Sequence, residues 1–301
     1  MKKPTANILV TGATGLSGKL VIKEFEKQGI PVRALIRDRE KAKAMESYTQ
    51  VSIYEGDMLQ PETLHAALEG VEKVLMISSA AKEMVATQQS FTDAAKKAGV
   101  AHVIKYSGAD SGIGFNSQNF IAQKEHENAE DNLVHSGLQW TLLRPSQFMQ
   151  MYFPGAPAGV NMQQGELVLP IGQGKLSPVD IEDVAKVCVQ LLTQDGHVNR
   201  IYEMTGPDAL NMEEACEILT RVTGRKMRHN NLSFEAYENL LVSRGLPAKN
   251  MRILIEIARE RSKCIESHIK LETHKRFGIR PTNFAEFIYK NISAFGPFSN
   301  K

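Results

Sequence analysis

The run Asn7-Ile8-Leu9-Val10-Thr11 passes without a break into Gly12-Ala13-Thr14-Gly15-Leu16-Ser17-Gly18, and apolar residues recur at helical spacing beyond it, at Leu20, Val21 and Phe25. A buried-type strand that turns through three glycines into an amphipathic helix leaves the chain few choices of fold. Gly12 permits the tight turn leaving the strand, Gly15 lets the backbone approach an oxyanion with no Cβ in the way, and Gly18 lets the helix pack close to the sheet. The N–H groups of the first helical turn have no partner within the helix, and the positive end of the helix dipole adds to them. Such a junction suits the pyrophosphate of a dinucleotide, with Gly12, Thr14, Gly15, Leu16, Ser17 and Gly18 as the contacting residues. A glycine triplet by itself matches by chance; the strand before it and the helix after it give it weight.

The remaining pattern extends this junction into an α/β sheet. Short β-rich apolar runs at residues 32–36, 51–54, 74–77, 102–106 and 140–143 alternate with helix-length amphipathic segments. Continuously apolar strands joined by crossover helices predict a doubly wound Rossmann-type parallel sheet, with ligands beyond the carboxyl ends of its strands. After about residue 150 the rhythm changes. Pro154, Gly155, Pro157 and Gly159 mark an irregular connection, followed by a strand-like stretch at 166–171. A helix beginning within 179–184 and a strand at 200–204 rejoin the main sheet. Beyond Gly206-Pro207 the chain reads as largely helical, with a capping box at Asn211 to Glu214 and Gly224 as a stop. The expected organisation is a Rossmann domain over 1–153, rejoined by 176–205, and a smaller, mostly helical C-terminal substrate lobe from 154–175 and 206–301.

Composition narrows the function classes. The chain has 301 residues, 42% of them hydrophobic, enough for a sizeable core. A net charge of only +2 gives no reason to expect a nucleic-acid or membrane-surface binder. Lys2 and Lys3 precede an apolar stretch too short for a signal-peptide core, and no run is long enough to span a membrane, so a cytoplasmic location is expected. Cys188, Cys216 and Cys264 lack metal or redox spacing, and the first two fall in helical apolar patterns. No metal site is expected, because the stretch from His126-Glu127 to Glu130 lacks the second histidine of a zinc motif. A nucleophile elbow and a Gly-Lys-Ser/Thr phosphate loop are also missing from the sequence.

The strand ends carry the cofactor signal. Arg37 follows the second strand, and Asp38, Arg39 and Lys41 come after it. An acidic residue at this point binds the adenosine ribose hydroxyls, whereas an arginine pairs with a 2′-phosphate. Arg37 therefore favours NADP(H) over NAD(H), although Asp38 could bind ribose and the whole stretch could be a solvated loop. Asp57 and Met58, after the third strand, are candidates to border the adenine, with Asp57 alternatively a simple turn residue. Ser78, Ser79 and Ala80 follow the fourth strand, where small residues let the chain pass close to a ribose-phosphate. Beyond the sixth strand, Phe148, Met149, Met151, Tyr152 and Phe153 suit either a flat apolar pocket or ordinary core packing.

Taken together, Thr11 to Gly18, Arg37, Gly56-Asp57, Tyr106-Ser107-Gly108, Lys124, Leu143-Arg144-Pro145 and the 179–184 stretch resemble the short-chain dehydrogenase/reductase superfamily in its atypical NmrA-like branch, which includes quinone reductases and triphenylmethane reductase. The likeness covers nearly the whole chain and is loosest in the substrate lobe. It implies a cofactor- or substrate-facing role for Ser107 and a cofactor-ribose contact for Lys124. Alcohol-ketone enzymes of the superfamily use Tyr-x-x-x-Lys, in which the tyrosine supplies the proton matching the hydride. Here the corresponding stretch is Phe120-Ile121-Ala122-Gln123-Lys124. Phe120 offers an apolar surface but no proton. Lys124 and the stand-in acids Tyr106 and Tyr152 are the catalytic candidates; Phe120, Phe148 and Tyr152 are the substrate-contact candidates.

The expected activity is hydride transfer from NADP(H) to a conjugated small molecule such as a quinone or cationic dye, which spreads the incoming charge and takes its proton from water. A non-catalytic NADP(H) sensor of the NmrA type, acting through a protein partner, fits the missing tyrosine equally well. Sugar-nucleotide epimerisation fits less well, because it needs the absent phenol. Direct nucleic-acid binding and membrane binding are not expected, and a homo-oligomer remains open.

Overall fold

In the computed structural model, residues 6–79, 83–115, 120–156 and 159–296 are described. Lys2, Lys3, Ala80 and Pro157, named above, lie outside them. In chain order the first elements are β1 (Ile8–Val10), α1 (Leu16–Gln28), β2 (Val32–Ile36), β3 (Val51–Glu55), α2 (His65–Leu68), β4 (Lys73–Met76), α3 (Met84–Lys97), β5 (His102–Tyr106), α4 (Ile121–Val134) and β6 (Gln139–Pro145). They are followed by β7 (Val160–Asn161), β8 (Glu166–Val168), α5 (Ile181–Thr193), β9 (Arg200–Met204), α6 (Met212–Thr223), β10 (Arg228–Asn230), α7 (Phe234–Ser243), α8 (Ala248–Arg261), α9 (Glu272–Arg276) and α10 (Phe284–Lys290).

The central sheet has the order β3-β2-β1-β4-β5-β6-β9. Pairings from β3 across to β6 are parallel, for example Val10 with Leu75 and Lys105 with Leu142. At the β9 edge, the Asn199 N–H donates to the Trp140 carbonyl and the Ser146 N–H to the Met204 carbonyl, each at 2.8 Å, so β9 runs the same way as β6. The order reverses at β1, between β2 and β4, which is the switch point where a doubly wound sheet opens a crevice. β1, β2 and β5 are buried along their whole length, whereas β3 at the edge is half exposed. This fits a sheet covered on both faces by crossover helices.

The chain divides into two compact units. The first comprises Met1–Gly108, Glu125–Arg144 and Glu182–Tyr202, and the second Ala109–Lys124, Pro145–Ile181 and Glu203–Lys301. Segments 109–124, 145–153, 176–181 and 203–205, read above with the Rossmann domain, thus fall in the second unit. Inside the first, Leu9, Leu35, Val74, Phe91, Val103 and Leu142 belong to one core cluster. The second has its own core around Met149, Tyr152, Leu167, Leu219, Phe284 and Phe287. It also carries a small sheet ordered β10-β8-β7, mostly surrounded in sequence by helices.

Candidate functional site

The β1–α1 turn is closed by side chains the sequence places there. Thr11 Oγ1 donates to the Ile77 carbonyl at 2.7 Å and accepts from the Ile77 N–H at 2.8 Å, tying the end of β1 to the end of β4. Gly12 has φ +59°, and a Cβ there would stand 2.8 Å from the Ile77 oxygen. At Gly18 a Cβ would lie 2.2 Å from the Gly12 oxygen, so only hydrogen fits. Gly15 is the N-cap of α1, has no side-chain cap and is exposed, and the first turn holds no acidic residue. The turn is therefore an uncapped helix start without a competing carboxylate, which is the cradle a diphosphate needs. Thr14 is half-buried, Leu16 projects outward, and Ser17 is buried beside the Tyr106 phenol.

At the carboxyl end of β2 the structure separates Arg37 from Asp38. The Asp38 carboxylate caps the following 3-10 turn, accepting the Glu40 N–H at 3.0 Å, and pairs with Lys41 at 3.7 Å. Arg39 pairs with Glu46 at 3.5 Å. Arg37 is exposed and has no ion pair among the described residues. It is the cation left available where a 2′-phosphate would lie.

The ends of β3 and β4 are quieter. Asp57 Oδ1 accepts the Leu59 N–H at 3.0 Å, so this residue does the work of a turn, and Met58 is buried in the core of the unit. Ser78 Oγ accepts from Gln88 Nε2 at 2.9 Å; Ser79 is exposed.

The end of β5 holds a charged network that sequence reasoning missed. Ser107 Oγ donates to Glu130 Oε1 at 2.5 Å and lies 3.3 Å from His126 Nδ1. Arg144 clasps the same carboxylate through Nε, at 3.0 and 3.2 Å, and Nη2, at 2.5 Å. Lys105 is completely buried, with Nζ 3.4 Å from His126 Nδ1. Among the described residues Arg144 alone forms an ion pair with the Glu130 carboxylate, which acts on Lys105 only through its field, and burial dominates: desolvation brings Lys105 down to about 7, against the pull of Glu130. Enclosure of the ring, then the neighbouring Lys105, lowers His126 to about 3. His126 and Glu130 stand one turn apart on α4, a spacing visible in the sequence, but nothing there shows that Lys105 and Arg144 face them.

The stand-in acids are buried. Tyr106 lies beside Ser17 and Cys188, and desolvation pushes its phenol well up from its usual range. Burial likewise raises Tyr152, whose hydroxyl points to Met212 Sδ at 4.0 Å and whose ring meets Phe284 edge-on at 4.9 Å. A general acid works best with a pKa near the operating pH, and both phenols are moved away from it. Met149, Tyr152 and Phe153 belong to the core of the second unit or pack against it, whereas Phe148 is half-buried. Phe120 is buried just before α4, and Lys124, whose N–H donates to the Phe120 carbonyl at 3.1 Å, is exposed. Burial raises the Cys188 and Cys216 thiols, the latter to about 12, as expected of core cysteines.

Sheet order, glycine turn and strand-end cation define an α/β protein of the Rossmann type. The profile of the NmrA-like family matches residues 4–288, and the chain belongs to that family. It is 33% identical over 290 residues to the NAD(P)H azoreductase of Xenophilus azovorans, across 96% of this chain and 99% of that one. The NADPH complex of the NADPH-dependent quinone oxidoreductase of Escherichia coli superposes with a TM-score of 0.83 at 27% identity, covering 95% of this chain and 99% of the other. Citrobacter sp. triphenylmethane reductase complexed with NADP(H) gives 0.82 at 28% identity, over 94% and 99%.

Proposed function

We propose that the protein is an NADP(H)-dependent reductase that passes hydride to a conjugated small molecule such as a quinone or a dye. The observation that carries this reading is the division of labour after β2: Asp38 is committed to capping, and Arg37 is left without an ion pair among the described residues. The azoreductase, quinone oxidoreductase and triphenylmethane reductase named above support it, since each reduces a conjugated acceptor or is complexed with NADP(H).

The residues fit the cofactor. Gly12, Gly15 and Gly18 leave a cradle that a Cβ would fill, and the uncapped turn from Leu16 would hold the diphosphate. Arg37 would pair with the 2′-phosphate, Asp57 would border the adenine, and Ser78, Ser79 and Ser107, at the ends of β4 and β5 in the same unit, would line the ribose side. When bound, the nicotinamide supplies the hydride. Phe120 holds no proton to donate and the Tyr106 and Tyr152 phenols are buried, so the acceptor must delocalise charge and take its proton from water. Conjugated acceptors meet that demand, whereas simple ketones do not.

Purified protein with NADPH and a panel of quinones, triphenylmethane dyes and enals tests this. NADPH oxidation that needs both protein and acceptor is expected. NADPH binding with no turnover across the panel would replace this reading by the non-catalytic sensor, which the loss of the tyrosine at position 120 also suits.

A further inference from the structure

The network at the end of β5 has a property that the reductase reading does not use: one ring nitrogen, His126 Nδ1, faces both the Lys105 amine at 3.4 Å and the Ser107 hydroxyl at 3.3 Å. A neutral imidazole carries a single hydrogen, so Nδ1 either accepts or donates. Serine has one hydrogen as well, and Ser107 gives it to Glu130 at 2.5 Å, an acceptor fixed by the Arg144 fork. The protonation of Lys105 then decides the rest.

As an ammonium, Lys105 can only donate. Nδ1 accepts from it, the ring hydrogen sits on Nε2, and both lone pairs of Ser107 Oγ stay available. As an amine, Lys105 becomes a strong acceptor and a weak donor, and its buried lone pair needs a hydrogen. Among the described residues the donor within reach of it is an Nδ1–H, so the ring changes tautomer and its hydrogen also serves Ser107, occupying one Oγ lone pair. We propose that Lys105 is a positioning residue that sets, through the tautomer of His126, whether Ser107 presents a free acceptor at the carboxyl end of β5. The consequence for turnover rests on the reductase reading; the tautomer exchange does not.

Charged and titratable groups around the lysine are few enough for this to be specific. From α4 it meets His126 and Glu130, and from β6 Arg144; its strand neighbour across the sheet is Met76 on β4. The buried residues of α3, among them Gln88, Phe91 and Thr92, carry no charge. Burial brings the lysine down to about 7, which puts the exchange in the neutral range.

Two measurements on the full chain decide it. The 15N spectrum of His126, assigned with a His126→Gln variant, is expected to pass from the Nε2–H form at pH 6 to the Nδ1–H form at pH 9; one tautomer throughout would overturn the proposal. With NADPH and a water-soluble naphthoquinone, kcat/KM is expected to fall about fivefold over the same interval, the worth of one neutral hydrogen bond. Lys105→Met, which keeps the volume, should be independent of pH at the alkaline value of the wild type, and Lys105→Arg, always charged, independent of pH at the acid value. The same inflection surviving in Lys105→Met would overturn the proposal. Failure of every acceptor would strike the reductase reading alone, because the tautomer is read without turnover.

Discussion

The turn after β1 and the network after β5 stand at the same carboxyl edge of one sheet, yet they treat polar groups in opposite ways. At the first, capacity is left unspent: an uncapped helix start, no acidic residue in its first turn, and an exposed Arg37 at the end of the neighbouring strand β2. At the second it is consumed internally, with Ser107, Glu130, Arg144, His126 and Lys105 bonded to one another and largely withdrawn from solvent. Unsatisfied donors and lone cations mark where a ligand must complete the structure. Saturated charges mark where geometry is held for something else to use.

Substitutions can break that contrast. The largest effect is expected at Gly18→Val, where a side chain would meet the Gly12 oxygen at 2.2 Å. NADPH binding should be lost and the urea midpoint should fall by the equivalent of about 3 kcal/mol or more; binding within threefold of wild type would show the cradle to be wrongly placed. Arg144→Met should cost about 3 kcal/mol, because the buried Glu130 carboxylate would lose its one ion-pair partner among the described residues. Denaturant unfolding measures it.

Lys105→Met reads the same network through pH. The folded lysine sits near 7 and the unfolded one near 10.5, so between these values the unfolded chain binds more protons and stability rises with pH. The burial penalty is fully present below about 7 and is relieved toward 10.5. Lys105→Met should therefore stabilise the protein more at pH 6 than at pH 9.5, by on the order of 3 kcal/mol. Arg37→Ala is expected to weaken NADPH binding about tenfold and to leave NADH binding and stability within experimental error, since the exposed arginine has no ion pair among the described residues. An equal loss for both cofactors would assign Arg37 a structural role.

Much of this was legible in the sequence, for physical reasons that differ by element. Strands β1, β2 and β5 are covered on both faces, so their apolar runs announce them. The capping box of α6 was readable because it is local: Asn211 accepts the Glu214 N–H at 2.8 Å, Glu214 accepts the Asn211 N–H at 2.8 Å, and Gly224 closes the helix at φ +68°. β10 gave no such sign. Its residues Arg228, His229 and Asn230 are polar, and it is held by pairing with β8 and by bonds from Arg228 and Asn230 to Glu166, 62 and 64 residues away. The Arg228 bond also holds the Glu166 carboxyl below its usual range. The Lys105 network was hidden for the same reason, since its members are brought together by the register of β5 with β6 and by the placement of α4 rather than by any spacing. Asp38 was ambiguous in the sequence and is resolved by a backbone bond, to the Glu40 N–H, that spacing alone does not settle.

The most direct measurement is calorimetric titration of the folded protein with NADPH and, separately, NADH. Binding of NADPH at least about tenfold tighter than NADH is expected from an Arg37 with no ion pair among the described residues, beside a glycine cradle. No heat of association with either dinucleotide at millimolar concentration would contradict the assignment of the β1–α1 turn as a diphosphate site, and with it the reductase reading.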